Sequence, residues 1–513
     1  MKNNQNSRYD VIVIGSGPGG LSAAAALARS GRSVIVFEKG SNYGGNCSAF
    51  NVGGYTFDLA VHQIIGGDGS AGQCSRVLDS YGIKDNIRFK KLDNFVRVIR
   101  PNDEFDFPVS LEAFKEILEK RFPERKKETR RLIDDIAVFR NSMGIISSLI
   151  SNPRFMLRRI SCSYSLRKKI AIIFRGLWLF LGMRKTAAQL LGDYYQDKDI
   201  RSLVAISWPY VGLAPHRLSG LLFLGLISSI TLEGSYYPMD TSQAIADEMV
   251  KLIGSCKGKV VCNSPVKKIV VNKRKATGVV LESGERINAE VVISNADALQ
   301  TFSQMLDRDD LPKPYYKKIM NGKVSVGPFK VFLGLDYPVR DNGLDTHEYF
   351  FFKSFDHDEC FKQCEAGYPG ALSAYSPSYI NPALAPSGHS TLILTTFFPW
   401  KTERDWRINK EQIADEMILL AQTKIHELSK HIVVKKIFTP EDLFDFSGAQ
   451  KGAMYGWENS VSQSLISRLG QTTPINNLYL AGHWTVPGCG VSSAIISGWM
   501  VARKIIARRG IKQ

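Results

Sequence analysis

The first forty residues carry apolar runs separated by one glycine-rich turn. Residues 11–14 form a short continuous apolar run of the kind that a parallel sheet buries. Residues 15–20 are glycine-rich, and residues 21–29, rich in alanine and leucine, favour a helix. A second apolar run, residues 33–37, ends at Glu38. This order predicts a βαβ unit with the glycines at its first turn.

Further along the chain the pattern changes several times. Residues 74–234 predict helices rich in large apolar and basic side chains. Residues 258–297 predict a meander of strands with a turn at residues 272–275. Residues 299–438 mix alternating and continuous apolar runs and predict both strands and helices. Residues 478–508 again predict a strand, a glycine turn and a helix.

With 513 residues the chain is too long for one compact core, so we expect two domains. The two strand–turn–helix patterns at the ends, with the meander between them, predict a nucleotide-binding domain assembled from separated pieces. The predicted fold class is α/β: a discontinuous Rossmann-like domain with an inserted α+β domain. The predicted nucleotide-binding domain comprises residues 1–73, 235–298 and 439–513, and the predicted substrate domain comprises residues 74–234 and 299–438.

The glycine-rich turn matches the motif Gly-x-Gly-x-x-Gly between a strand and a helix. Gly15 permits the tight turn, Gly17 lets backbone N–H groups approach a pyrophosphate, and Gly20 lets the helix pack closely on the strand. The positive N-terminus of the helix stabilises the phosphate charge. Glu38, 18 residues after Gly20, is placed to accept hydrogen bonds from ribose hydroxyls. The motif predicts a dinucleotide but does not distinguish NAD from FAD.

The residues that follow Glu38 make this distinction through a family resemblance. Gly44-Gly45 comes six residues after Glu38, and Gly54-Tyr55-Thr56-Phe57-Asp58 comes next. Together with the glycine motif they resemble the N-terminal signature of the FAD-dependent oxidoreductases of the phytoene desaturase, carotenoid isomerase and retinol saturase group. The cofactor that this resemblance implies is FAD.

The C-terminal region carries the other half of the resemblance. The resemblance covers nearly the whole chain, and its two ends are its specific parts. It implies an FAD domain of the glutathione-reductase-like, amine-oxidase type. Glycines in the closing turn let the backbone approach the isoalloxazine ring, and the next helix directs its positive end at the ring's pyrimidine edge. The matching C-terminal segments are Asn477-Leu478-Tyr479-Leu480-Ala481-Gly482-His483-Trp484, Pro487-Gly488-Cys489-Gly490-Val491 and Ser497-Gly498; Tyr237-Pro238 and residues 291–297 also match.

Three positions depart from the family pattern. Asn46 stands where members often carry Arg after the glycine pair, and His483 stands where many carry Asp. Met239-Asp240 replaces the glycine pair that usually follows Tyr-Pro. None of these changes removes a glycine turn, so we still expect FAD binding.

The predicted FAD contacts come from both ends of the chain and from the meander. Val266 lies where related proteins touch the adenine through a strand backbone; a buried core valine is the alternative interpretation. The full predicted set is Gly15, Ser16, Gly17, Pro18, Gly19, Gly20, Glu38, Lys39, Gly45, Asn46, Val266, Gly482, His483 and Val491.

His62 is the candidate for a direct part in catalysis. It follows residues 57–61, a stretch that in this group passes beside the flavin. A histidine there moves a proton or orients the substrate; a hydrogen-bonded core histidine is the alternative. The hydride chemistry itself belongs to the flavin. We expect no metal site, because the eight cysteines form no Cys-x-x-Cys pair and no ligand cluster accompanies them.

The charge of the chain points to an anionic partner. There are 66 Lys and Arg against 49 Asp and Glu, which gives a net charge of +17. Between Asp135 and Asp193 there is no acidic residue. The basic residues in this interval are Arg140, Arg154, Arg158, Arg159, Arg167, Lys168, Lys169, Arg175, Arg184 and Lys185.

We refer to residues 140–192 as the basic insert. Ile, Phe, Leu and Trp178 separate its cations, a composition that favours helices in a membrane interface or an apolar tunnel for a lipid substrate. A solvated basic face on a core helix is the alternative. Nucleic acid is not an expected partner, because no recognition motif accompanies the charge. Without a secretory signal or an apolar run of about 20 residues, the prediction is a cytoplasmic protein bound peripherally to a membrane.

Three functions are compatible with these features. The leading one is an FAD-dependent oxidoreductase or isomerase that acts on a hydrophobic, carotenoid-like or retinoid-like polyene by desaturation, saturation or cis–trans isomerisation at a membrane surface. The second is a soluble flavin amine oxidase or halogenase-like enzyme. The third is a prenyl-protein carrier that shares the fold without flavin chemistry.

Overall fold

The computed structural model describes residues 8–69, 72–151 and 182–508, apart from the side chains of residues 141–151 and 183. Two seven-stranded sheets, called sheet 1 and sheet 2 below, organise this part of the chain. The strands are β1 (Arg8–Ile14), β2 (Val34–Phe37), β3 (Ala49–Val52), β4 (Tyr55–Asp58), β5 (Ile64–Ile65), β6 (Phe89–Lys91), β7 (Asn94–Arg100), β8 (Asp103–Pro108), β9 (Ser235–Pro238), β10 (Lys259–Val261), β11 (Val266–Asn272), β12 (Lys275–Leu281), β13 (Arg286–Ser294), β14 (Gly327–Leu335), β15 (Glu348–Phe352), β16 (Ala371–Tyr375), β17 (Ser390–Phe398), β18 (Ile432–Phe438) and β19 (Leu478–Leu480).

Helices cover both faces of sheet 1 and one side of sheet 2. The helices are α1 (Pro18–Arg29), α2 (Gln73–Tyr81), α3 (Leu111–Arg121), α4 (Lys126–Ser151), α5 (Ala187–Gly192), α6 (Lys198–Ala205), α7 (Gly220–Glu233), α8 (Gln243–Ser255), α9 (Ala298–Ser303), α10 (Lys313–Met320), α11 (His357–Ala366), α12 (Pro377–Ile380), α13 (Lys410–Gln422), α14 (Pro440–Ser447) and α15 (Val491–Arg508).

Sheet 1 combines strands from the beginning, the middle and the end of the chain. Its order is β10-β2-β1-β13, and β1 runs parallel to both of its neighbours. Antiparallel β12 pairs with the first part of β13, and parallel β19 pairs with the second part. The predicted α/β class with a discontinuous Rossmann-like domain is therefore confirmed, although the exact domain boundaries stay a prediction.

The predicted elements of sheet 1 are found where the sequence pattern placed them. The βαβ unit is β1, α1 and β2, and the meander includes β11 and β12, which are joined by a turn between Asn272 and Lys275. Helix α1 packs with α8 and α15 on one face of the sheet, and four of its five alanines, Ala23, Ala24, Ala25 and Ala28, are buried there. Small side chains let these helices approach the sheet closely, so the glycine turn before α1 is held at the sheet's carboxyl edge.

Sheet 2 has the order β18-β14-β17-β16-β15-β7-β8. All nine residues of β14, which lies between β18 and β17, are buried. The prediction of helices throughout residues 74–234 is wrong for residues 89–108, which form β6 and the hairpin β7–β8. Strand β7 pairs in parallel with β15, more than two hundred residues later. This long-range pairing stabilises strands that the helical prediction missed.

Much of the basic insert lies outside the described residues. Seven of its ten cations fall there, namely Arg154, Arg158, Arg159, Arg167, Lys168, Lys169 and Arg175. Among the residues that the structure does describe, the helices all lack the combination of length and apolar character that crossing a membrane requires.

Candidate functional site

One large cavity lies between the two sheets. Its volume is about 1800 Å³, and its walls come from the carboxyl edge of sheet 1, from strands of sheet 2, from α7 and from the first turn of α15. Pockets for one drug-sized ligand measure roughly 300–1,000 Å³. The cavity therefore has room for a cofactor and a second molecule together.

The Gly-x-Gly-x-x-Gly turn forms one wall of this cavity, and it is packed against the C-terminal glycine turn. A side chain on Gly19 would place its Cβ 2.6 Å from the Cα of Gly482, so only glycine fits. The side chain of Asn295 fills the remaining space, since a Cβ on Gly17 would lie 2.8 Å from its Nδ2 atom. Three distant segments thus meet at Asn295, and their backbones line a surface that can approach a phosphate closely.

Glu38 lies at the end of β2, as predicted, and lines the cavity. Its Oε2 atom accepts hydrogen bonds from the backbone N–H of Ser16 (2.8 Å) and from the Ser16 hydroxyl (2.6 Å). Its Oε1 atom accepts a hydrogen bond from the N–H of Gly40 (2.9 Å). These bonds fix the carboxylate beside the glycine turn, with lone pairs left for a ribose.

The C-terminal glycine turn brings a buried cation to the cavity. Arg468 is 4% exposed and donates to the carbonyls of His483 (2.6 Å from Nη2) and Tyr455 (3.0 Å). Burial lowers the pKa of Arg468 to about 10, so the guanidinium stays charged at neutral pH. In the described part of the chain it makes no ion pair. Burial, followed by the charge of Arg468, lowers the pKa of His483 to about 3, so this imidazole is neutral.

These walls fit an FAD molecule on chemical grounds. The turn before α1 presents glycine backbone and a helix N-terminus to a pyrophosphate, and Glu38 is an acceptor beside it. At the other end, the N-terminus of α15 and the cation of Arg468 supply positive potential where a reduced flavin carries negative charge. Bound there, FAD would supply hydride chemistry through its flavin ring.

Most of the predicted cofactor residues line the cavity, and two do not. Ser16 is fully buried and holds Glu38, and a Cβ on Gly20 would lie 2.2 Å from the carbonyl oxygen of Gly15, so both support the turn from behind. The predicted residues on the cavity wall are Gly15, Gly17, Pro18, Gly19, Glu38, Lys39, Gly45, Asn46, Val266, Gly482, His483 and Val491.

His62 also lines the cavity, at the side of sheet 2. Its Nδ1–H group donates to Oε2 of Glu348 at 2.8 Å, and its ring stacks between Tyr210 and Tyr375, with centroids 5.0 and 4.6 Å away. Glu348 is the first residue of β15 and is completely buried. His62 is therefore both hydrogen-bonded and in contact with the cavity.

Two further buried ionisable groups, Lys330 and Asp58, lie in the region of this histidine. Lys330, from β14, is 2% exposed and lines the cavity. Burial lowers the pKa of Lys330 to about 8, against the opposing charges of Asp58 and Glu348. Asp58 accepts hydrogen bonds from the Tyr237 hydroxyl (2.5 Å) and the Ser242 hydroxyl (2.6 Å). Burial raises the pKa of Asp58 despite these bonds.

Beyond His62 the cavity continues as an apolar arm along α7. Leu221, Leu222, Gly225 and Leu226 line it together with Phe139 of α4, and the polar residues of this stretch are Arg140, Ser228, Ser229 and Glu233. A Cβ on Gly225 would lie 3.5 Å from the ring of Phe139, so a larger side chain at this position would press on the wall. This wall can hold an elongated apolar molecule whose end reaches the glycine turns.

Sequence reasoning missed several of these residues. Lys330 and Glu348 are ionisable side chains at the ends of otherwise apolar runs that predict buried strands, and this contrast is a usable signal of function. Arg468 and Tyr210 lie in loops and turns and gave no such signal. Asn295 belongs to a segment that matched the family, but its packing role depends on three segments meeting in space.

The fold and the cavity together define a flavin-dependent enzyme of the dinucleotide-fold type. Residues 18–506, nearly the whole chain, match the family described as flavin containing amine oxidoreductase. The chain belongs to this family, and it is an FAD-dependent enzyme. The non-enzymatic carrier considered from the sequence is therefore set aside.

Relatives of known activity cover almost the full chain at low identity. Prolycopene isomerase 1, chloroplastic, of an Oncidium hybrid cultivar is 26% identical, over 98% of this chain and 85% of the relative. All-trans-retinol 13,14-reductase of Danio rerio is 24% identical, over 98% and 86%. Phytoene desaturase (neurosporene-forming) of Rhodobacter capsulatus is 26% identical, over 98% and 95%. The predicted relationship to the phytoene desaturase, carotenoid isomerase and retinol saturase group is confirmed.

Solved structures agree on the fold. Wild-type putrescine oxidase bound to putrescine superposes with a TM-score of 0.63, covering 98% of this chain and 99% of the oxidase. The sequences are 16% identical. At this identity the likeness concerns the fold alone.

Proposed function

We propose that this enzyme desaturates, saturates or isomerises double bonds in a long hydrophobic polyene or isoprenoid. The single observation that carries the proposal is the continuity of the cavity, which extends from the glycine turns past His62 into the apolar arm. An elongated apolar ligand in that arm brings a double bond to the cofactor end. The named relatives, which act on prolycopene, retinol and phytoene, support this substrate class.

We also propose a placement for FAD in the same cavity. The pyrophosphate lies on the turn of residues 15–20, and the adenosine ribose lies beside Glu38 with the adenine near Val266. The flavin lies against the turn between Gly482 and Val491. The support is that these groups share one cavity wall and carry the charges that each part of FAD requires.

Substrate specificity is tested by changes in absorbance of the bound flavin. Prolycopene, phytoene and all-trans-retinol are offered in detergent micelles to the oxidised and the chemically reduced enzyme, and products are separated by chromatography. We expect at least one polyene to be converted. Flavin reduction by putrescine without any reaction of the polyenes would instead identify a soluble amine oxidase.

A blocked apolar arm tests the location of the substrate. Gly225→Leu places a bulky side chain on the cavity wall beside Phe139, so we expect KM for the polyene to rise about tenfold or more while FAD content is unchanged. Gly254→Leu is the matched control, because Gly254 is an exposed helical glycine with no atom within 4 Å of its added Cβ. Equal KM values in the two variants would place the substrate elsewhere.

We further propose peripheral binding to an anionic membrane surface through the basic insert, in the cytoplasm. The support is its run of cations without an acidic residue, and the position of α4, which leads into the insert and lines the apolar arm. Lipid-soluble substrate would then enter from the bilayer.

Sedimentation with phosphatidylserine vesicles tests the membrane proposal. Charge reversal to Glu at Arg158, Arg159, Arg167, Lys168 and Lys169 should abolish binding. The control reverses five other cations of the β11–β12 region, Lys267, Lys268, Lys273, Arg274 and Lys275, and should leave binding intact. Equal loss in both variants would mean that only net charge matters, and retention in both would overturn the proposal.

A further inference from the structure

Glu348 holds a negative charge where water cannot reach it. Its side chain has no exposed surface, yet four donors surround it. Oε2 accepts hydrogen bonds from Tyr210 (2.7 Å), Gln63 (2.8 Å) and His62 (2.8 Å), and Oε1 accepts one from Ser373 (2.6 Å). A buried carboxylate is costly unless it is paired and hydrogen-bonded, so this arrangement is specific to the ionised form.

The same arrangement fixes the protonation pattern of His62. An ionised carboxylate can only accept, so Nδ1 of His62 must carry the hydrogen that it donates. The side chain of His62 is 21% exposed, whereas Glu348 is 0% exposed. Because Nδ1 is engaged by Glu348, Nε2 is the ring nitrogen that remains for a substrate, and His62 lines the cavity. Nε2 has no hydrogen-bond partner in the described part of the chain.

We propose that Glu348 is a positioning residue that makes His62 the proton donor and acceptor of the reaction. This inference rests on the proposed function. In saturation of a double bond, the Nε2–H bond of protonated His62 breaks and a C–H bond forms at one carbon. FAD bound in its two-electron-reduced form would supply the hydride to the other carbon. The neutral imidazole regains a proton from solvent, and desaturation uses it as the base in the reverse direction.

Electrostatics around the pair favour this role. Burial alone would raise the pKa of Glu348, but the charge and hydrogen bond of His62, with His347 and Ser373, outweigh it and keep that pKa below its ordinary value. Burial and the charge of Glu348 raise the pKa of Tyr210, so its hydroxyl remains a donor. The charged or titratable groups that face the pair from the surrounding elements are Tyr210, Lys330, Asp58, His347, Tyr375 and Tyr455.

Nitrogen NMR of the holoenzyme tests the pair without any substrate. The chain has eight histidines, and the His62→Gln variant identifies the signal of His62 in protein labelled with ¹⁵N-histidine. We expect His62 to be held as the Nδ1–H form in the wild type. Glu348→Gln should release it into a mixture of both tautomers. An unchanged tautomer in Glu348→Gln would overturn the positioning role.

Kinetics with the converted polyene test the proton step. His62→Gln should lower kcat by about 10²–10⁴-fold, the range for a lost general acid or base, with KM nearly unchanged. Glu348→Gln should also lower kcat, as His62→Gln does, and it should change the pH dependence of kcat. Added imidazole should restore part of the activity of His62→Gly, which a merely structural histidine would not allow. Full activity in His62→Gln would overturn the proposal.

A surface pair provides the control. Nδ1 of His216 contacts Oδ1 of Asp358 at 2.7 Å, and the His216 side chain is 43% exposed. His216→Gln should leave kcat and its pH dependence unchanged. If Glu348→Gln loses FAD, Tyr210→Phe removes one donor to Glu348 while keeping its charge, and it should give a smaller loss of kcat in the same direction. If the wild type converts none of the polyenes, the proposed function is wrong. The NMR experiment still shows whether Glu348 fixes the tautomer of His62.

Discussion

Both carboxylate oxygens of Glu38 accept hydrogen bonds from the protein. Oε2 is bonded to Ser16 of the glycine turn, and Oε1 is bonded to Gly40. The bonds from Ser16 link the end of β2 to the end of β1, and the bond from Gly40 closes a local turn after β2. Glu38 therefore has a structural part, which is to hold the turn, besides the ribose contact that we propose. A substitution of Glu38 should therefore weaken cofactor binding in two ways, by loosening the glycine turn and by removing the proposed ribose contact.

Glu38→Ala should weaken the binding of FAD to the apoprotein by about ten-fold or more, because a hydrogen bond to a charged group contributes roughly 1.5–3 kcal/mol. Fluorescence titration of apoprotein with FAD measures the effect. Glu285→Ala, an exposed acidic residue in the meander, is the control and should bind FAD as the wild type does. Equal affinity in all three proteins would mean that the ribose lies elsewhere.

Arg468 is the buried charge next to the proposed flavin position. Arg468→Met should lower the reduction potential of the bound flavin by about 30 mV or more, which for two electrons corresponds to about 1.4 kcal/mol. The reason is that the reduced flavin loses a nearby positive charge. Dye equilibration under anaerobic conditions measures the potential. Arg308→Met, which removes a cation that contacts the ring of Tyr316 and is not on the cavity wall, is the control.

Single residues differ in how far the sequence predicts them. Gly15 and Glu38 were predicted because their chemistry depends on local spacing along one βαβ unit. Glu348 was not predicted as a site residue, because its role exists only when His62 from the N-terminal region reaches β15. Arg468 likewise gains its role from carbonyls of distant turns. Pattern and motif reveal residues that act within a segment, whereas buried charges that act across segments require the fold.

At the scale of elements, the crossing of α1 and α15 is the closest helix contact. Gly498 of α15 lies over α1, and an added Cβ would come within 2.1 Å of the carbonyl oxygen of Gly19. The hydroxyl of Ser22 on α1 donates to the carbonyl of Ile495 on α15 at 2.6 Å. The two helices therefore approach to backbone contact, and both begin at the cavity wall.

Gly498→Ala should destabilise the protein, because the helices must separate and overpacking typically costs about 1–3 kcal/mol. It should also weaken FAD binding, since both helix N-termini shift. Gly254→Ala, the matched change at an exposed helical glycine, should stabilise by up to about 1 kcal/mol through helix propensity. Thermal unfolding followed by circular dichroism compares them. Shifts of the same sign in both variants would contradict the packing argument.

Elements were predicted best where burial and pattern agree. The βαβ unit and the meander were predicted because parallel strands buried on both faces give continuous apolar runs. The hairpin β7–β8 was not predicted, although residues 94–108 are rich in Val, Ile and Phe on either side of the turn at Pro101-Asn102. The prediction of one helical region over residues 74–234 overlooked this local strand signal.

At the scale of the whole molecule, three buried histidines set the response to acid. Burial is the main cause that lowers the pKa of His347 and of His357 to about 4 and that of His483 to about 3, from an ordinary 6.5. The unfolded chain then binds protons below pH 6.5 that the folded chain refuses, so stability falls as the pH drops. Asp297 acts in the opposite direction, since burial raises its pKa to about 6.

Lowering the pH from 7 to 5 should reduce stability by about 2 kcal/mol per buried histidine, offset by about 1 kcal/mol from Asp297. The midpoint of thermal unfolding at the two pH values measures this. His357→Gln should show a smaller difference between the two pH values, because it removes one of the titrating groups; its amide can still donate to the carbonyl of Ser202, which His357 contacts at 2.8 Å. His216→Gln should keep the full difference. An unchanged difference in His357→Gln would contradict the assignment.

The order of the strands in sheet 1 has a consequence for how the enzyme is made. Strand β19 and helix α15, which complete the sheet and the proposed flavin end of the cavity, are translated more than 450 residues after the first glycine turn. A nascent chain on the ribosome therefore has the first half of the proposed cofactor cradle but cannot close it. Cofactor loading must await release of the C-terminal segment, and a prematurely terminated product remains an apoprotein with the edge of β13 unpaired. Bound flavin therefore indicates both that the chain has been synthesised through α15 and that it has folded.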